Sequence, residues 1–280
     1  MKKYLFLSPA KLNLVLQVLS RREDGYHNLY TIFQKIDLFD EIEIKKGTLD
    51  FRLDFISDRG DIPLEENLVY KAYIKFKETF RINENHHIRV KKTIPIGAGL
   101  GGGSSNAATI IKGLAYIYGI DREEPLLYSI AKSLGADVPF FLSPYVAAIG
   151  EGIGDVLIPY PSFQAWYLLI CPNFEISTKW AYQNLGLTNS KNPVYYSTEV
   201  SPWRHPQGLI NDFKALVFNK FPFLKELETK LKTFGCCAVS LSGTGPTIFG
   251  IFEKEPPFYV YETLKRTLKE VKVFLVQNLE

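Results

Sequence analysis

Residues 95–109 read PIGAGLGGGSSNAAT, with five glycines between positions 97 and 103 and two serines directly after them. Downstream, Ala107, Ile110, Ile111, Leu114, Ala115 and Tyr118 recur at helical spacing, and Gly119 is placed to end the run as a left-handed cap. Upstream, HHIRVKKTIP reads as a strand. The glycines therefore lead into a helix N-terminus. Without Cβ atoms, successive backbone N–H groups can converge into a concave nest, and the helix start adds unsatisfied donors and the positive end of a dipole. Such a pocket fits phosphate. A helix cap needs a single glycine, and a mobile linker would not be pinned between two apolar elements. Ser104 and Ser105 would then donate to phosphate oxygens or hold Mg²⁺.

Spacing separates this loop from two other nucleotide loops. A Walker A loop requires lysine after its last glycine, and none follows here; the protein-kinase set requires a catalytic Asp-Asn pair and DFG downstream, and neither occurs. GAGLGG satisfies G-x-G-x-x-G formally. A dinucleotide fold would also need an acidic ribose ligand about 20 residues on, and the candidate, Asp121, falls at a helix start.

Working outward, KLNLVLQVL, IDLFDEIEIKK and LDFRLDFI read as strands, and EENLVYKAYIKFKETF as a helix with Leu68, Ala72, Phe76 and Phe80 on one face. A second helix spans about Glu123 to Leu134 and stops at Gly135. Beyond residue 155 the pattern restarts with strand AWYLLICP, a helix at ISTKWAYQNL and a loop from Leu187 to Gly208. Residues 209–235 read as largely helical, CCAVSLSGTGPTIFGIF as two strands around a Gly turn, and the end as a helix and a strand. The class is α+β, with an N-terminal domain over 1–155 and a C-terminal domain over 156–280.

At 280 residues the chain is long enough for two domains. No apolar run approaches the roughly 20 residues of a membrane helix. Pro9 and Lys11 interrupt what would otherwise resemble an export signal. Cys171, Cys236 and Cys237 form neither an even disulfide set nor a metal spacing, so the expected home is a reducing cytoplasm. A net charge of +3, with basic residues scattered in pairs, excludes a nucleic-acid stripe.

The stretch PIGAGLGGGSSNAA resembles the P-x-x-x-G-L-G-S-S-A-A loop of the GHMP small-molecule kinases, and SPAKLNLVLQVLSRREDGYHNLYTIFQ and SLSGTGPTIFGIF resemble their first and third motifs. Within that family, PAKLNL, DGYH, GLGGGSSNAA and GADVPFF together are similar to the branch acting on 4-diphosphocytidyl-2-C-methyl-D-erythritol in the non-mevalonate route to isoprenoids. The resemblance implies a two-domain fold with a left-handed βαβ unit around the glycine loop, and transfer of the γ-phosphoryl of ATP to the substrate's 2-hydroxyl.

It also assigns residues. Asp137, in GADVP, matches the catalytic aspartate, and Lys11 its lysine partner; on their own they would read as a turn aspartate and a strand-edge lysine. Pro139 should bias Val138 toward extended backbone, so that the Asp137 carboxylate projects from a defined turn. Pro95, Ile96, Gly97, Ala98, Gly99, Leu100, Gly101, Gly102, Gly103, Ser104 and Ser105 supply the ATP phosphate loop, and Asn67 and Lys92 would approach the adenine. Tyr26 maps onto the cytosine-stacking residue, His27 onto the base-reading residue and Asn13 onto a contact to the erythritol or diphosphate. The family usually has Thr-Pro where this sequence has Thr178-Lys179, so Tyr182 and Trp180 both stand as the second aromatic of the cytosine sandwich. Mg²⁺ would travel with the nucleotide, Ser105 being the candidate protein ligand.

Overall fold

The apolar alternation that opens the sequence is one long strand, β1 (Lys3–Arg21), and after a turn the chain returns in β2 (His27–Thr48), paired with it. The turn closes through Arg22 N–H donating to Tyr26 C=O at 2.8 Å, and Gly25 supplies the left-handed residue at φ 85°. Every residue of β1 from Ala10 to Val18 is buried, so polar Lys11, Asn13 and Gln17 must be satisfied inside. The structure is a computed structural model and describes all residues except 1, 59, 61, 188, 189 and 269.

Two compact units form, and neither is continuous in sequence. The first takes the chain up to Ala10, Leu38–Ile96 and Gly101–Tyr145; the second takes Lys11–Asp37, Gly97–Leu100 and Val146–Glu280. The division is drawn differently from a single cut after residue 155, because β1 and β2 are long enough to run from one unit into the other.

In the first unit β3 (Arg52–Ile56) pairs parallel with β4 (Asn85–Lys91), with α1 (Leu68–Phe80) between them, and β4 pairs antiparallel with the end of β2. This directly paired βαβ unit precedes the glycine loop. After the loop come α2 (Gly102–Tyr118), α3 (Pro125–Leu134) and α4 (Val138–Leu142). Ala72 and Phe76 of α1, Ile110, Ile111 and Leu114 of α2, and Ile42, Ile44, Ile88 and Val90 of the strands make the core. Gly119 ends α2 at φ 66°, as its position predicts. The expectation of extended backbone at Val138 is corrected: Val138 opens α4. Pro139 falls in the first turn, where a missing N–H costs no helical hydrogen bond, and that outweighs its bias on the preceding residue.

In the second unit the start of β2 pairs with β5 (Ala147–Glu151), and β5 with β6 (Val156–Pro159). A separate antiparallel sheet contains β7 (Trp166–Pro172), β8 (Ala238–Leu241), β9 (Ile248–Phe252) and β10 (Val271–Gln277), in the order β10-β7-β9-β8. Around it lie α5 (Thr178–Asn184), α6 (Lys214–Lys220), α7 (Pro222–Thr233) and α8 (Phe258–Thr267). The largely helical stretch expected over 209–235 comprises two helices. Asn211 holds a turn by donating to the carbonyls of Leu241 and Gly243 at 2.7 and 2.9 Å, and Pro222 separates α6 from α7. Among the described residues no helix is long and apolar enough to cross a membrane.

Candidate active site

Gly97, Gly99 and Gly101 take left-handed backbone at φ 67°, 77° and 69°, while the residues between them, Ala98 and Leu100, are buried anchors. Alternating glycine and anchor is how a chain turns its amides inward without losing its footing. Gly101 is the N-cap of α2 and has no side chain to cap it, so the first-turn amides are open to backbone, water or a ligand.

Three separated motifs meet in the second unit. Lys11 N–H donates to Leu100 C=O at 3.0 Å, Thr247 N–H to Ala98 C=O at 3.3 Å, and the Ser242 hydroxyl to Gly99 C=O at 2.9 Å. A Cβ on Gly99 would collide with the Ser242 carbonyl and stand 3.0 Å from that of Gly245. The SGTGP turn therefore packs directly on the glycine loop, and only glycine permits that approach. Asn13 N–H points to the Ser242 hydroxyl at 3.4 Å, and the Lys11 ammonium donates to the Asn13 side-chain oxygen at 2.5 Å. Lys11 is 4% exposed, so its side-chain nitrogen depends on polar partners inside the protein.

In the same unit His27 stacks on Tyr182, ring centroids 4.9 Å apart and 28° from parallel, and Tyr182 is backed edge-on by Phe213 at 4.8 Å. Burial, with Arg21 nearby, holds the His27 imidazole below its ordinary pKa. A neutral ring offers one donor and one acceptor to a base edge. Tyr26 is exposed beside it. Trp180 faces other partners: the Lys220 ammonium lies 3.9 Å from its ring centroid and Phe221 packs edge-on. The structure thus brings Tyr182, not Trp180, to His27. Thr178 starts α5 with its hydroxyl 3.4 Å from that of Thr244 in the SGTGP turn.

In the first unit the approach to the loop is fixed by a buried carboxylate that sequence reading passed over. Asp40 Oδ1 accepts from Thr93 and Ile94 N–H at 2.7 and 2.9 Å, while Oδ2 accepts from the Lys92 ammonium and from Asn106 Nδ2. Asn106 also accepts from Lys92 at 3.0 Å and donates to the Ser8 hydroxyl at 2.9 Å, which donates to Ser105 at 2.8 Å. Lys92 lies under Gly102, where a Cβ would come within 3.1 Å of its nitrogen. Burial pulls the Lys92 pKa down against the pull of Asp40.

This network bears on two of the expected site residues. The Lys92 ammonium is engaged beneath α2, so an approach to the adenine would fall to its backbone. Ser105 is fully buried and its hydroxyl accepts from Ser8; Ser104 is the more accessible of the two serines. Asn67 caps α1, its side-chain oxygen accepting from Val69 N–H at 2.9 Å. Asp137 heads α4 half-buried, and its carboxylate does not cap that helix. No cluster of three or more His, Cys, Asp or Glu arranged for a metal occurs among the described residues.

Residues 67–144 match the model of the GHMP kinases N terminal domain and residues 203–270 that of the GHMP kinases C terminal domain. The chain is 39% identical over 257 residues to the 4-diphosphocytidyl-2-C-methyl-D-erythritol kinase of Desulfotalea psychrophila, covering 88% of this chain and 85% of the relative. The Syntrophus aciditrophicus enzyme of that name is 37% identical, with 98% of this chain and 99% of the relative covered. A crystal structure of 4-(cytidine 5'-diphospho)-2C-methyl-D-erythritol kinase superposes with a TM-score of 0.83 at 29% identity, covering 99% of this chain and 100% of that one.

Proposed function

This chain belongs to the 4-diphosphocytidyl-2-C-methyl-D-erythritol kinases, a family of GHMP kinases, and from that membership we propose that it phosphorylates the 2-hydroxyl of 4-diphosphocytidyl-2-C-methyl-D-erythritol with ATP. The step would serve non-mevalonate isoprenoid precursor synthesis in the cytoplasm. The observation that carries the reading is the meeting of Lys11, the backbone of Gly97–Leu100 and the Ser242 hydroxyl in one unit. These donors occupy the carbonyls of Ala98, Gly99 and Leu100, which supports reading the loop's remaining amides as an anion cradle beside Lys11.

Phosphoryl transfer asks the protein to align hydroxyl and phosphate, to accept a proton and to neutralise charge on the transferring group. The loop from Pro95 to Ser104 receives the ATP phosphates on backbone N–H groups at the start of α2, and Asn67 lies at the adenine end. Asp137 takes the proton of the attacking hydroxyl. Lys11 supplies positive charge that favours an ionised acceptor and an electron-poor hydroxyl. Tyr26, His27 and Tyr182 hold the cytosine, while Asn13 and Thr178 face the remainder of the substrate. Mg²⁺ would be held chiefly by the nucleotide's own phosphates, with no carboxylate cage required, and would offset part of their charge. Residues 1–155 then carry ATP and catalysis, and 156–280 contribute to the substrate.

The test is ADP release and product phosphate, followed by phosphorus NMR, with ATP, Mg²⁺ and the cytidyl substrate, and with homoserine and mevalonate in parallel. Turnover with the cytidyl substrate alone supports the reading. Turnover with another alcohol keeps a kinase and removes the cytosine assignments.

A further inference from the structure

Thr31 is fully buried in β2, and its hydroxyl donates to Val15 C=O at 2.7 Å. A carbonyl can only accept, so the one hydroxyl proton is committed there. What Thr31 presents to Asn13, 2.8 Å away, is therefore a lone pair, and the Asn13 atom facing it must be the amide nitrogen. The Asn13 oxygen is left facing Lys11, which can only donate. Every link in the chain has one allowed polarity. Were the amide reversed, its N–H donors would face an ammonium and Thr31 would have no proton to offer in exchange.

The rotamer of Thr31 is itself held. Thr31 lies opposite Gly150 in β5, and a Cβ on Gly150 would stand 3.0 Å from the Thr31 methyl and 2.6 Å from the Phe33 ring. A β-branched side chain has few χ1 choices. With its methyl seated on the bare glycine, the hydroxyl is turned toward β1. The Phe33 ring gives Lys11 a second neighbour, 5.4 Å from nitrogen to centroid.

We propose that Thr31 is a positioning residue that fixes the Asn13 amide and, through it, places the Lys11 ammonium for phosphoryl transfer. The proposal rests on the reading of Lys11 as the lysine of that step. Thr31→Val keeps the volume but removes the acceptor, leaving the buried Asn13 amide nitrogen without that partner and the amide held from the Lys11 side alone. The comparison takes kcat, KM and melting temperature of Thr31→Val, Thr31→Ser, Lys11→Met and Thr31→Val with Lys11→Met, using ATP, Mg²⁺ and the cytidyl substrate. Thr31→Val should lower kcat roughly 10- to 100-fold, the range expected for a buried hydrogen-bond partner left unsatisfied. KM for ATP should stay within about twofold, and Thr31→Ser should restore most of the rate. In the Lys11→Met background Thr31→Val should add nothing, since both act through one ammonium. Should Thr31→Val not fold, Thr31→Cys carries the same comparison with a weak donor and acceptor in place. Wild-type kcat in Thr31→Val, or the same loss repeated on top of Lys11→Met, overturns the proposal. Wild-type turnover in Lys11→Met instead removes the lysine reading beneath it, and the two failures are distinguishable.

Discussion

The hydroxyl of Ser242 donates to the carbonyl of Gly99, 2.9 Å away and 143 residues earlier in the chain. The bond gives the third motif a physical task, since it clamps the middle of the glycine loop from the side away from solvent. Gly99→Ala attacks that clamp twice, by a Cβ driven against the Ser242 carbonyl and by left-handed backbone at φ 77°. Gly119→Ala, also left-handed at φ 66° but with nothing within 4 Å of its Cβ, isolates the second effect. Gly119→Ala should cost about 1–2 kcal/mol of stability and leave turnover alone. Gly99→Ala should also raise KM for ATP or lower kcat at least about tenfold, read by initial rates beside a melting curve.

Asp137 heads α4 with no side-chain capping bond, and asparagine keeps its shape while removing the base. Asp137→Asn should lower kcat by roughly 10²- to 10⁴-fold, the usual worth of general-base assistance. ATP affinity measured by calorimetry should change little. A kcat within a few-fold of wild type would leave the residue with a positioning role only.

Tyr182 and Trp180 are two residues apart on a helix and face different partners, which separates them as cytosine platforms. Tyr182→Ala should weaken the cytidyl substrate by roughly 1–3 kcal/mol, the worth of one stacked base, with Tyr182→Phe near wild type. Trp180→Ala should leave substrate KM unchanged, because its ring is spent on Lys220 and Phe221. The reverse pattern would exchange the assignment.

Legibility of these features in the sequence followed how local their causes are. The glycine loop, the cap at Gly119 and the burial of Ala72 and Phe76 depend on neighbours a few residues away, and the spacing predicts them. The helix beginning at Val138 depends on Pro139 falling within a first turn, which local bias alone reads the other way. Asp40, Ser8, Thr31 and Ser242 act through partners between 16 and 143 residues distant. Their polarity in apolar strands was the available signal, since a buried polar residue requires a partner. Ser105 and Lys92 show the same dependence: each stands beside the loop in sequence but turns its side chain inward to a distant partner.

Asp40 and Lys92 form a buried pair with unequal support. Without Lys92, Asp40 keeps the Thr93 and Ile94 amides and Asn106; with Asp40→Asn, one oxygen becomes a donor facing Lys92 and the Asn106 amide. Breaking a buried pair costs roughly 3–5 kcal/mol. Lys92→Met should therefore lower the urea midpoint less than Asp40→Asn does. Equal losses would mean that the backbone donors contribute nothing to holding Asp40.

His86 is fully buried between two tyrosines, with Tyr73 Oη 3.3 Å from Nδ1 and Tyr118 Oη 3.0 Å from Nε2. Tyr118 donates its proton to Glu84 at 3.0 Å, so toward His86 it can only accept. The ring is thereby fixed with its proton on Nε2 and with Nδ1 accepting from Tyr73. Burial pushes the His86 pKa down from 6.5 to about 4. Between those values the unfolded chain binds a proton that the folded protein refuses, so stability rises with pH across that window and falls as the solution is acidified. The contribution lost on passing from above 6.5 to below about 4 is about 3 kcal/mol. His86→Gln keeps a donor and an acceptor without titrating, and its urea midpoint should fall less between pH 7 and pH 4.5 than that of the wild type. Equal slopes for the two proteins would assign the acid sensitivity to carboxylates, and not to this imidazole.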